Sequence, residues 1–111
     1  MKYLFKSNTT MKKHNMDKYW ILDDIIPVLE IEADTLNKAI ESFADIVSNK
    51  YFIEISNNAI KHKQKMYIDS PEGTKQTGYV LTGKTDFENN GQWVSQYIDI
   101  WTEIKTLTEV F

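Results

Sequence analysis

Between residues 28 and 50 the spacing of apolar side chains changes period, from two residues to about 3.6. Val28, Glu30 and Glu32 alternate with Leu29, Ile31 and Ala33, which predicts a strand over Val28 to Ala33 with Leu29 and Ile31 facing inward and both glutamates facing water. Leu36, Ala39, Ile40, Phe43, Ala44, Ile46 and Val47 then fall close to an i, i+3, i+4, i+7, i+8 series, while Asn37, Lys38, Glu41 and Asp45 take the opposite side. That spacing predicts a helix from Asp34 to Ser48. Asp34 stands where its carboxylate accepts from the free N–H groups of the first turn, and Ser48-Asn49-Lys50 is expected to stop the helix. An apolar helix face needs cover. The remaining apolar residues lie in strand-like segments on both sides, so the helix is predicted to pack on one face of a mostly antiparallel sheet of five or six strands, an α+β domain spanning residues 1–111.

Lys2 to Ser7 reads as the first strand, ended by Asn8, Thr9 and Thr10, with a basic connection from Met11 to Lys18 before a second strand at Tyr19 to Leu22. Asp23-Asp24 turns the chain, and Pro27, which lacks an N–H, delays the next strand to Val28. After the helix, Tyr51 to Ile55 reads as a strong strand and as the return of a β-α-β arrangement, parallel or antiparallel to the strand before the helix. Ser56 to Lys61 reads as one helical turn capped by Ser56, and Met66 to Asp69 as a short strand. Ser70-Pro71-Glu72-Gly73 has the proline and glycine positions of a type I turn. Gln76 to Phe87 returns, with Tyr79, Leu81 and Phe87 on one side, and Glu88-Asn89-Asn90-Gly91 reverses the chain again. Gln92 to Phe111 fits two patterns. As a helix, Val94, Ile98, Trp101, Ile104 and Thr108 form a seam; as a strand, Val94, Ile98, Ile100 and Ile104 share one face and Trp93, Tyr97 and Trp101 the other. Its wealth of Trp, Val, Tyr, Ile and Thr favours the strand, which completes a C-terminal meander.

Composition narrows the chemistry. At 111 residues with 41% hydrophobic side chains, the chain fits one core that buries roughly 60 to 70% of its unfolded surface. With no cysteine, thiolate catalysis, disulfides and cysteine-held metals drop out. No apolar run approaches the roughly 18 residues of a membrane span, and Met1 to Lys6 is too short for a signal peptide, so the expected setting is cytoplasmic, away from membranes. The net charge is −3, and all 13 basic side chains are lysine. The missing guanidinium fork weighs against base-specific nucleic-acid reading, although an AT-rich coding sequence also produces this bias. Charge is segregated: residues 1–20 and 50–65 are net positive, and residues 21–49 and 66–111 net negative.

Candidate chemistry is sparse. His14 and His62 each sit among lysines, which oppose a cation, and no ligand spacing accompanies them. Asp23-Asp24 and the pair Glu30, Glu32, about 7 Å apart on one strand face, are explained by a solvated surface without acid–base work. There is no glycine-rich phosphate loop, nucleophile elbow or triad, so the chain reads as a non-enzyme with no cofactor and no metal. Trp93, Tyr97 and Trp101 are the most informative set. On a strand they stand about 13 Å apart on one side. The plainer expectation buries them over a second, smaller core against Tyr19 and Trp20; the functional one leaves them as an exposed platform for a protein partner or for stacked bases.

The segments Lys2-Tyr3-Leu4-Phe5-Lys6-Ser7-Asn8-Thr9-Thr10-Met11-Lys12-Lys13-His14-Asn15, Glu32-Ala33-Asp34, Gly78-Tyr79-Val80-Leu81-Thr82-Gly83-Lys84-Thr85 and Gln96-Tyr97-Ile98-Asp99-Ile100-Trp101 together resemble a family of small phage and mobile-element proteins of low-GC Gram-positive bacteria. Their motifs carry no known catalytic role. The resemblance implies a setting in which small acidic proteins bind and block a host protein, as anti-CRISPR and other anti-defence factors do. The leading expectation is therefore a stoichiometric inhibitor of a host defence component such as a CRISPR nuclease, with a homodimer compatible with it. Its contacting surface is either Asp23, Asp24, Glu30 and Glu32, occupying a groove meant for phosphates, or the face of Trp93, Tyr97 and Trp101. The alternative is a single-stranded nucleic-acid binder in which those aromatics stack on bases while Lys61, Lys63 and Lys65 follow the backbone.

Overall fold

The computed structural model describes residues 1–12, 19–22, 25–89 and 91–107. Asp23, Asp24 and His14 lie outside the described residues. Six strands form one sheet: β1 (Lys2–Lys12), β2 (Tyr19–Leu22), β3 (Leu29–Glu32), β4 (Gln64–Ser70), β5 (Gly73–Asn89) and β6 (Gln92–Thr106). Their order is β2-β1-β6-β5-β4, and β3 shares the β2 side of β1, pairing with Lys2 to Phe5 while β2 pairs with Thr9 to Lys12. The described pairings are all antiparallel. The fold is thus α+β, with the C-terminal meander β4-β5-β6.

Helix α1 (Leu36–Tyr51) lies on one face of the sheet and buries the stripe Ala39, Ile40, Phe43, Ala44 and Val47. Beneath it stand Phe5 and Thr9 of β1, Ile98, Ile100 and Thr102 of β6, and Leu81 of β5; they share one face because Thr9 and Leu81 are both opposite Ile100 and the others lie an even number of residues away along the same strands. Phe5 stacks on Phe43 with ring centroids 4.8 Å apart, an offset pair that adds about 1 kcal/mol to the burial itself.

Four sequence expectations are corrected. Strand β1 does not stop at Asn8: it continues to Lys12, because β6 supplies a partner as far as Met11 and β2 covers the other side. The cap of α1 is Thr35, not Asp34. Extended backbone at Thr35 (φ −134°, ψ 160°) brings its Oγ1 to 3.2 Å from the Lys38 N–H that donates to it. Ser48-Asn49-Lys50 does not end the helix, which runs to Tyr51 and closes where Phe52 turns left-handed (φ 58°), the Ile53 N–H reaching back to the Val47 carbonyl at 3.4 Å.

The predicted strand Tyr51 to Ile55 is absent: Tyr51 belongs to the helix, and Glu54 alone bridges Lys84. Its alternation was real, since Ile53 and Ile55 are buried and Glu54 is exposed. They reach the core from coil laid over β5, where Gly83 leaves the room that Ile53 fills. Ser56 does cap a short helix, α2 (Asn57–Lys61), its Oγ accepting from the Ala59 N–H at 3.1 Å.

Candidate partner-binding face

The reversal at Gly91 (φ 79°) joins β5 to β6 so that Asn89 pairs with Gln92, and the ladder then runs without a register shift from Gln92 to Glu103. That unbroken register makes every odd-numbered residue of β6 point away from α1. Trp93, Tyr97 and Trp101 consequently share the face that no described helix covers, with exposures of 76%, 67% and 41%. They do not cover a second core. A β-strand rich in aromatic and β-branched residues normally buries one side; here the other side keeps large rings in water.

Hydrogen bonds fix the surroundings of these rings. The Trp101 indole N–H donates to Thr10 Oγ1 of the neighbouring strand at 2.9 Å, which orients the ring along the sheet. Between Tyr97 and Trp101, Asp99 accepts from the Thr82 hydroxyl at 2.9 Å; toward the hairpin tip, Asp86 accepts from the Ser95 hydroxyl at 2.6 Å. Lys84 stands opposite Tyr97 and Lys6 opposite Glu103. The face therefore alternates aromatic rings with charges of both signs. Thr10, Thr82 and Lys84 enter this surface as cross-strand neighbours, which no pattern within one strand reveals.

Tyr97 and Trp101 also form one wall of a groove of about 1210 Å³ that crosses the outer edge of β5 to reach α2; Glu54, His62, Lys63 and Lys84 line its other parts. It exists because β4 stops at the Gln64–Val80 pair and Glu54 bridges only Lys84, so Thr82 has no described strand beside it on that edge. Of the three lysines singled out in the sequence, Lys63 alone lines the groove. It is half-buried, its Nζ donating to the Ile60 carbonyl at 3.2 Å and standing 4.9 Å from the Tyr79 ring centroid. Lys61 and Lys65 are exposed outside it, and Lys65 is paired with Tyr79 on the helix side of the sheet.

Glu30 and Glu32 are exposed at the far corner of the open face, where Glu30 Oε1 lies 3.6 Å from Lys2 Nζ. Through the rows Glu30–Leu4–Lys105 and Asn8–Trp101, Glu30 lies about 13 Å along the strands and about 10 Å across them from Trp101, and Glu32, opposite Lys2, about 20 Å along them. The acidic pair and the aromatic row thus share a face without forming one cluster. Among the described residues no three His, Cys, Asp or Glu side chains gather as a metal ion requires. No helix among them is long and apolar enough to cross a membrane. Compared with known proteins, the chain matches no family model, no curated protein and no solved structure.

Proposed function

We propose that this chain acts by stoichiometric binding to a protein partner through the open face of its sheet. The observation that carries this reading is the row Trp93, Tyr97 and Trp101, solvent-exposed on one face of a strand that β5 pairs along its whole row. Large rings held this way lose little conformational freedom on docking, and such residues supply most hot spots of protein interfaces. The charges between them favour a protein over a polyanion. Asp86, Asp99 and Glu103 stand along the same face as Lys6, Lys84 and Lys105, so a partner of mixed sign is accommodated while a phosphate backbone meets a carboxylate at every second step. In the setting that the sequence resemblance implies, the partner is a host defence component such as a CRISPR nuclease, blocked without cofactor or chemistry; the acidic corner at Glu30 and Glu32 is a second contact available to a large partner. The test is protection of an incoming plasmid or phage in a host with active defences. Protection by the wild type that is lost in Trp93→Ala/Tyr97→Ala supports the reading; no protection against any of the host's defences removes the anti-defence role.

One observation keeps the nucleic-acid reading as a second: Lys63, His62 and Lys84 line the same groove as Tyr97 and Trp101. Single-stranded oligonucleotide titrated at low salt would then quench tryptophan emission, and Trp101→Ala would weaken binding by about 1 to 3 kcal/mol. Emission that stays unchanged at low salt eliminates it.

A further inference from the structure

Strand β4 closes one side of the sheet, and no described strand pairs with its outer edge. Natural sheets commonly protect such an edge with a proline, a bulge in the edge strand or an inward-pointing charge. Here Gln64–Ser70 contains no proline, and the extra residue at the irregularity between Met66 and Tyr67 is Thr77 of β5, so the run of β4 itself stays regular. Its two charges, Lys65 and Asp69, are exposed on the helix side and opposite in sign, so they oppose an unmatched strand but not a second β4 that pairs each with the other. Its side chains are mostly in water, including Tyr67 at 54% and Ile68 at 51% exposure.

The sequence of this edge is complementary to itself. When β4 is laid antiparallel to a second β4 about a two-fold axis perpendicular to the sheet, residues on one face stay on that face, and three registers place apolar residues near the centre. Centred on Met66 or on Ile68, only five of the seven residues find partners. Centred on Tyr67, all seven do: Tyr67 meets Tyr67, Met66 meets Ile68, Gln64 meets Ser70, and Lys65 meets Asp69 twice, once at each end. Lys65, Tyr67 and Asp69 then form a row on the helix side, while Met66 and Ile68 pair on the open side. Opposite charges therefore meet in the one register that also gives the longest ladder, with two backbone hydrogen bonds from alternate pairs.

We infer that β4 is a homodimerisation edge, joining two copies of this chain into one continuous sheet through the register centred on Tyr67. The inference is independent of the partner-binding reading, because β4 lies beyond β5 from the aromatic row. Since one strand meets one strand, the dimer is small in area and concentration-dependent. Sedimentation equilibrium over a wide concentration range tests it, with Lys65→Asp and Asp69→Lys as exposed, fold-preserving variants. Each variant alone sets like charges opposite at both ends and weakens self-association by about tenfold or more. Mixing the two variants gives an all-acidic edge facing an all-basic one, and the double variant Lys65→Asp/Asp69→Lys exchanges the charges; both restore the dimer. Wild-type protein that stays monomeric throughout, or single variants that dimerise as well as the wild type, overturns the inference, the second outcome placing the dimer on another surface.

Discussion

Thr35 and Phe52 set the two ends of α1, and each shows how single residues are decided by backbone geometry that the sequence only hints at. Asp34 and Thr35 are both capping types, and the helical spacing cannot choose between neighbours; the extended conformation of Thr35 does. Replacing Thr35 with alanine is expected to lower stability in urea by about 1 kcal/mol. Asp34→Ala, at an exposed residue with no capping bond, should stay within about 0.5 kcal/mol; equal losses would move the cap to Asp34. At the other end, Phe52 occupies the left-handed region although 77% exposed, a conformation that costs a residue with a Cβ about 1 to 2 kcal/mol. Phe52→Gly relieves that cost, and the extra freedom of glycine in the unfolded chain returns part of it. The expected net gain, read from the urea midpoint, is up to about 1 kcal/mol.

At the scale of elements, α1 was legible because its apolar period extends over several turns, and Phe43, predicted for its buried face, is the ring that stacks on Phe5. Truncating it to alanine removes a fully buried ring and should cost about 3 to 5 kcal/mol, a large part of the stability of a domain this size. The alternation of Tyr51 to Ile55 misled because burial in coil against a sheet has the same period as a strand; with Lys84 as the sole ladder partner of Glu54, no ladder forms. The length of β1 was illegible for a related reason. Asn8-Thr9-Thr10 carries turn-forming residues, and only β6 alongside turns them into strand. Gly78 was likewise unremarkable in sequence, yet a Cβ there would run into the Thr102 backbone carbonyl. Gly78→Ala is therefore expected to destabilise by about 1 to 3 kcal/mol or more, by prying β5 from β6.

For the whole molecule, the decisive feature is that α1 covers one side of the sheet and α2 packs Ala59 and Ile60 against the same core, so that among the described residues no helix covers the polar and aromatic face opposite. The sequence contained the odd–even split of β6, and so the row Trp93, Tyr97 and Trp101; it did not contain the side on which α1 would settle, and the plainer expectation of a second core failed on that point. The neighbours Thr10, Thr82 and Lys84 were hidden because cross-strand register is set by long-range pairing. Since Trp93 and Tyr97 are exposed, alanine at both should leave the urea midpoint nearly unchanged, within about 0.5 kcal/mol per site, while removing the anchors of the proposed interface. The most direct measurement is therefore the protection assay with the wild type and Trp93→Ala/Tyr97→Ala at matched expression and stability. The account predicts protection by the wild type and its loss in the variant. A stably folded variant that protects as well as the wild type would contradict it.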